Sequence, residues 1–170
     1  GTAQGDRREE YETPQPAWRL GDTDCARITA RRRVFGQAHG GEGCELIQLF
    51  CGQGSNAYLT YAIPRGRVID ELAAEMWVKS NRGGLQMLLR VVLPHSRNPH
   101  DGQPLTRLIS GSVYSTPGQW QRLTVENPAT KLRQLVPSLR SQFGSDVTAR
   151  EAYVDLVVLN AYGGPGLTNV

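Results

Sequence analysis

The sequence predicts an all-β fold, a two-sheet antiparallel β-sandwich of the jelly-roll kind with one short amphipathic helix. Strand-like runs recur along the chain, separated by Gly/Pro/Asn turns at the spacing of sandwiches. Two of those runs alternate cleanly between apolar and polar residues. The bulk composition also fits one core: 170 residues, 39% hydrophobic, with 19 Gly and 10 Pro. No apolar run is long enough to cross a bilayer as a helix.

Residues 1–17 are charged and then Pro-rich, with Pro14 and Pro16, and are expected to be a flexible lead-in. Residues 18–170 are expected to form a single domain, a fragment of a larger protein. Strands are expected near Cys25–Phe35, Cys44–Cys51, Asn56–Ile63, Val68–Ser80, Leu85–Leu93, Leu105–Tyr114, Gln119–Val125 and Ala152–Asn160. Turns fall at Gly40-Gly41, Gly52-Gln53-Gly54, Pro64-Arg65-Gly66, Asn81-Arg82-Gly83-Gly84 and Pro117-Gly118. In the fourth strand Ala74, Met76 and Val78 should face the core, leaving Glu75, Trp77 and Lys79 outside. In the fifth, Leu85, Met87, Leu89, Val91 and Leu93 should face inward, with Gln86, Leu88, Arg90 and Val92 outward. Asn127-Pro128 reads as a helix cap followed by Pro at the first helical position. Leu132, Leu135, Val136, Leu139 and Phe143 then follow helical spacing up to Gly144, and Pro137 should kink or split the helix.

Catalytic signatures are missing from the sequence: it has no GxSxG, Walker loop, HExxH or GxGxxG, and a binding protein is expected in place of an enzyme. Glu75, Asp155 and Glu151 could serve an acid–base mechanism only if two of them faced each other. His95, His100 and Asp101 sit in one long loop, read as a solvated loop and not as a metal site. The basic residues are almost all arginine, Lys79 and Lys131 being the exceptions among 19. Arginine offers a planar fork of donors suited to anions and sugar hydroxyls. Arg27, Arg31 and Arg33 could form one stripe for a polyanion.

Three cysteines are present. Cys44 and Cys51 lie in one expected strand, separated by roughly 23 Å of extended chain, too far for a disulfide. Cys25 with Cys44 is the more plausible pair. The aromatic residues suggest a sugar surface, in which flat rings meet the apolar faces of pyranoses and Arg or Gln bonds the hydroxyls. Trp77, Gln86, Arg90, Tyr114, Trp120 and Arg122 are the candidates.

The strings GGEGCELIQLFCGQGSNAYLTYAIP, RVIDELAAEMWVKSNRGGLQMLLRVVLP and YSTPGQWQRLTV resemble the middle of a carbohydrate-binding-module jelly roll, a galactose-binding-like sandwich. The closing REAYVDLVVLNAYGGPGLTNV is similar to an N-terminal domain of uncharacterised planctomycete extracytoplasmic proteins with glycosidase-like regions. The resemblance covers roughly 18–170. It implies a non-catalytic module presenting an aromatic and arginine face to a polysaccharide or oligosaccharide, in an extracytoplasmic or secreted protein. It also implies a structural calcium ion, for which Glu12, Glu45 and Asp155 are the matching residues, with Asp22 or Asp24 nearby. The alternatives are a ligand-free docking domain contacting neighbouring domains of its parent, and arginine-mediated polyanion binding. No nucleic-acid partner and no membrane span are expected.

Overall fold

The computed structural model describes residues 18–35 and 43–170. The main chain forms ten strands among these residues: β1 (Arg19–Thr23), β2 (Ala26–Phe35), β3 (Gly43–Cys51), β4 (Ala57–Arg67), β5 (Ala74–Val78), β6 (Gln86–Arg97), β7 (Pro104–Val113), β8 (Gln121–Val125), β9 (Tyr153–Asn160) and β10 (Gly166–Asn169). Helix α1 spans Pro128–Phe143 between β8 and β9. All pairings are antiparallel. One layer is a five-stranded sheet in the order β1-β4-β9-β6-β7. The other holds a three-stranded sheet, β10-β3-β2, and a two-stranded ribbon, β5-β8. The ribbon is tied to the three-stranded sheet where Asn81 N–H donates to the Asn169 carbonyl and Ser80 Oγ to the same oxygen.

One core joins the layers. Met87, Leu89, Val91 and Leu93 of β6 meet Ile47 and Leu49 of β3, Val78 of β5, and Leu123 and Val125 of β8. The alternation expected in β6 is therefore realised, because period-two side chains need one dry face. Helix α1 turns Leu132 and Leu139 into the same cluster, and Lys131 Nζ donates to the Ser110 carbonyl of β7. An amphipathic helix thus covers the core beside the β7 edge, blunting a strand edge that would otherwise be open.

Three local expectations are corrected. Asn127 does not cap α1 through its side chain. It adopts a left-handed conformation (φ 51°, ψ 50°), and its carbonyl accepts from Lys131 N–H. The Pro137 helix is not split but runs unbroken as one element. Pro64-Arg65-Gly66 is not a turn: β4 runs through it, and its pairing with β9 shifts register between Ala62 and Gly66. Proline lacks the N–H that a ladder needs, and the bulge is the one place where that loss is harmless.

Gly111 of β7 sits where β8 crosses closely. A Cβ there would collide with the Thr124 carbonyl and with Val125 Cγ2 at 2.5 Å. Arg82 binds the loop before β10, donating from Nη1 to the carbonyls of Gly164 and Pro165 at 2.7 Å each. The Gly40-Gly41 turn and Glu12 lie outside the described residues.

Candidate functional site

The residues singled out from sequence divide between the two outer faces of the sandwich. Gln86 and Arg90 belong to β6 in the five-stranded layer, whereas Trp77 of β5 and Arg122 of β8 lie opposite each other in the two-stranded ribbon. Both layers bury their inner residues in one core, so these outer surfaces point away from each other. Trp77 is 42% exposed, and Arg122 Nη1 donates to Glu75 Oε2 beside it. Trp120 immediately precedes β8 and is half-buried. The expectation that Trp77, Gln86 and Arg90 share one surface fails because β5 pairs with β8 and not with β6.

Tyr114 belongs to neither surface. It is 0% exposed. Its Oη accepts from Ser80 N–H at 3.1 Å and lies 2.6 Å from the carbonyls of Thr116 and Gln119. A side chain with no exposed atom cannot touch a glycan, so its role is to hold the 115–119 turn against the end of β5.

The five-stranded layer carries the richer surface, and the strand register shows who stands on it. Outward from β4 come Tyr58, Thr60, Ala62 and Arg67. Their neighbours on β9 are Asn160, Val158, Leu156 and Tyr153. Across β9 stand Gln86, Leu88, Arg90 and Val92 of β6. Leu88 (7% exposed), Val92 and Val158 (2%) are buried yet do not belong to the core cluster. They form an apolar floor below longer neighbours. A register shift between Arg90 and Val91 turns Asp155 to the outside, where Arg90 grips it with two bonds, Nε to Oδ1 at 2.8 Å and Nη2 to Oδ2 at 2.6 Å. The Asp155 carboxylate pushes the Arg90 pKa up. Two of the five guanidinium N–H groups are used in this fork, which leaves three for a ligand. Arg65 lies over the Tyr153 ring, 4.6 Å from its centroid. Tyr58 and Tyr153 were not singled out from sequence. Their strands could be located, but not the neighbours that gather both rings on one face.

Of the residues expected to hold calcium, Glu12 lies outside the described residues, and Glu45 and Asp155 do not come together. Glu45 points to the inner side of β3, accepts from Trp18 N–H and pairs with Arg31. Asp155 points outward from the opposite layer and is held by Arg90. Asp24 is committed as well. Its carboxylate accepts from Asn56 and Ser55, bonds that hold its pKa near 2 despite partial desolvation. Asp22 is exposed on β1. Among the described residues no three His, Cys, Asp or Glu side chains come together to hold a metal. Nor do the three carboxylates weighed for acid–base work meet: Glu75 pairs with Arg122, Asp155 with Arg90 and Glu151 with His95.

The Cys25–Cys44 pairing is also corrected. Cys44 lies opposite Val34 at one end of the β2–β3 pair, whereas Cys51 lies opposite Ala26 at the other. Cys25 therefore neighbours Cys51; both are free thiols, and Cys25 Sγ donates to the Asn56 carbonyl at 3.7 Å. Burial and the adjacent Asp24 push the Cys25 pKa up to about 11. The arginine stripe is broken in the same strand. Between Ile28 and Ala30 the register shifts, so Arg27 pairs with exposed Phe50 while Arg31 pairs with buried Ile47.

The fold resembles known binding modules. The chain is similar to the family 11 carbohydrate-binding module of a cellulosomal cellulase from Clostridium thermocellum, with 10% identity, a TM-score of 0.51, and 95% of this chain and 87% of that chain covered. A family 30 carbohydrate-binding module from a cellulosomal cellulase of the same organism aligns more loosely, with 12% identity, a TM-score of 0.38, and 88% and 81% coverage. At these identities the likeness concerns the β-sandwich fold. No family model matches the chain, and neither does any curated protein.

Proposed function

We propose that the protein is a non-catalytic carbohydrate-binding module whose five-stranded outer face receives a polysaccharide or oligosaccharide. The carrying observation is the combination on that face of an apolar floor, two tyrosines and a fixed Arg90–Asp155 pair. Pyranose rings present C–H faces to aromatic or aliphatic surface and hydroxyls to planar donor–acceptor pairs, and this face offers both. The β-sandwich likeness supports the reading at the level of fold alone. A module of this kind would serve outside the cytoplasm, beside a glycosidase-like region of the same polypeptide. A structural calcium has no support from Glu45 and Asp155 and is not part of the reading.

The test is affinity electrophoresis on a panel of soluble polysaccharides with wild type, Tyr153→Ala, Arg90→Ala and Trp77→Ala. Retardation that drops with Tyr153→Ala and Arg90→Ala but not with Trp77→Ala supports the five-stranded face. Dependence on Trp77 alone would transfer the site to the β5–β8 ribbon.

A second reading has its own observation. Phe50 and Leu167 are paired directly across β3 and β10, and they are 41% and 48% exposed. Exposed apolar pairs of this kind mark interaction surfaces. Docking of this face onto a neighbouring domain of the parent protein predicts that Phe50→Ser with Leu167→Ser abolishes association with that domain while glycan binding is unchanged.

A further inference from the structure

The outer face of the five-stranded layer is asymmetric in charge. Four guanidinium groups stand on it or over it: Arg19, opposite Thr60 on β1; Arg65, over Tyr153; Arg67, opposite Tyr153; and Arg90. Across β4, β9 and β6 the carboxylate on that face is Asp155, and Arg90 already grips it through both oxygens. Arg65 and Arg67 form no ion pair among the described residues. Elsewhere on the described surface arginines are engaged by carboxylates, as Arg122 is with Glu75 and Arg133 with Asp70, or by carbonyls, as Arg82, Arg97 and Arg140 are. Beside Tyr153, two guanidinium groups with no ion pair among the described residues belong to one stretch of β4.

Their geometry is suited to an anion. A guanidinium lying flat over an aromatic ring keeps its in-plane N–H edge free and loses little freedom on binding. The Arg65 guanidinium carbon lies 4.6 Å from the Tyr153 ring centroid, and Arg67 stands opposite Tyr153 in the β4–β9 register, so both arginines leave the backbone beside one ring. Forks of this type bind carboxylate or sulfate through two parallel charge-assisted bonds. Neutral sugars would leave both groups without a counter-charge.

We propose that the five-stranded face selects an acidic glycan, with a uronate carboxylate or sugar sulfate seated on Arg65 and Arg67 next to Tyr153. The inference rests on the reading of this face as a glycan site. The Arg90–Asp155 pair would then hold hydroxyls of an adjacent residue through the three N–H groups that the fork leaves over.

The experiment compares migration of the protein in native gels containing polygalacturonate, the same polymer fully methyl-esterified, or a neutral β-glucan. Polygalacturonate is expected to retard the protein, with affinity about tenfold above that for the esterified polymer, as expected when charge-assisted bonds are lost. Arg65→Gln with Arg67→Gln should lose a similar factor. Arg65→Lys with Arg67→Lys keeps the charge but not the fork, and should bind no better than wild type and no worse than the Gln pair. Wild-type affinity for polygalacturonate in the Gln double variant, or equal retardation by the free and esterified polymers, overturns the proposal. Retardation by the neutral glucan with polygalacturonate inert overturns it too but leaves the glycan reading standing. No retardation by any of these polymers overturns both.

Discussion

Replacing Tyr114 with phenylalanine separates a folding role from a binding role. The ring stays, so no cavity opens and no transfer term arises. What is lost is one hydroxyl with four partners: Ser80 N–H, and the carbonyls of Ser80, Thr116 and Gln119, of which the Ser80 carbonyl keeps its bond from Gly118 N–H. Thr116 and Gln119 are exposed, so water can reach their carbonyls. Ser80 is buried, so its N–H is left without an acceptor. An orphaned buried donor costs ~1–3 kcal/mol, and ~2 kcal/mol is expected here. In a domain of this size each kcal/mol lowers the melting temperature by about 2–4 °C, so Tyr114→Phe should melt about 4–8 °C below wild type. Differential scanning calorimetry measures the shift, and glycan affinity electrophoresis on the same sample should show no change. A melting temperature within about 1 °C of wild type, or weakened glycan binding without a thermal shift, would refute the argument.

Other substitutions probe other parts of the structure. Gly111→Ala would drive a methyl group against the Thr124 carbonyl and Val125, with the Met87 carbonyl 3.0 Å away. A loss of roughly 3 kcal/mol in urea unfolding is expected from such overpacking. Asp24 has its pKa lowered from 3.8 to about 2 in the folded chain. A depressed carboxylate contributes stability above its ordinary value and loses it as pH falls through the folded one. Thermal melts between pH 5 and pH 2 should therefore fall less steeply for Asp24→Asn than for wild type; parallel curves would contradict the assigned bonds. Oxidation with diamide followed by peptide mapping should link Cys25 to Cys51 and leave Cys44 as a thiol; any link through Cys44 would contradict the β2–β3 register.

Much of the fold was legible because one layer buries one side of each long strand. The runs that became β2, β3, β6, β7, β8 and β9 carry that alternation or dense apolar content, and α1 carries a helical period with Pro at its start. The strands β1 (RLGDT) and β10 (GLTN) were invisible. They are short and largely polar or glycine-containing, and they become strands only because β4 and β3 offer ladders to them. The stretch from Val68 to Leu72 is apolar enough to suggest an early start to β5. Instead it turns, with Leu72 N–H bonding to the Ile69 carbonyl.

The site was harder to read than the fold. Facing could be assigned within a strand, and Gln86, Arg90, Trp77 and Arg122 were all placed on outward sides. Lateral order is different information, since it depends on which ladder a strand joins. Because β9 inserts between β4 and β6, Tyr58 comes into line with Gln86 and Tyr153 with Val92, on the same outer face as Arg90, while Trp77 is carried to the far side of the molecule. No local pattern in the sequence encodes that insertion. Register slips added a second layer of concealment: one brings Asp155 out to Arg90, and another parts Arg27 from Arg31.

The placement of β10 has a kinetic consequence. Gln48 of β3 bonds through its side chain to Asn169, 121 positions later in the chain. Contacts of such separation make loop closure expensive before it is rewarded, and folding on the order of milliseconds to seconds is the norm for such topologies. Strand β10 needs β3 and the Ser80–Arg82 corner in place to receive it, so late docking is expected. Arg82 holds the incoming segment through the carbonyls of Gly164 and Pro165, and Arg82→Ala is then expected to speed unfolding more than it slows folding. The loop that looked like a mere connection is, in this sense, the latch on the molecule's lifetime.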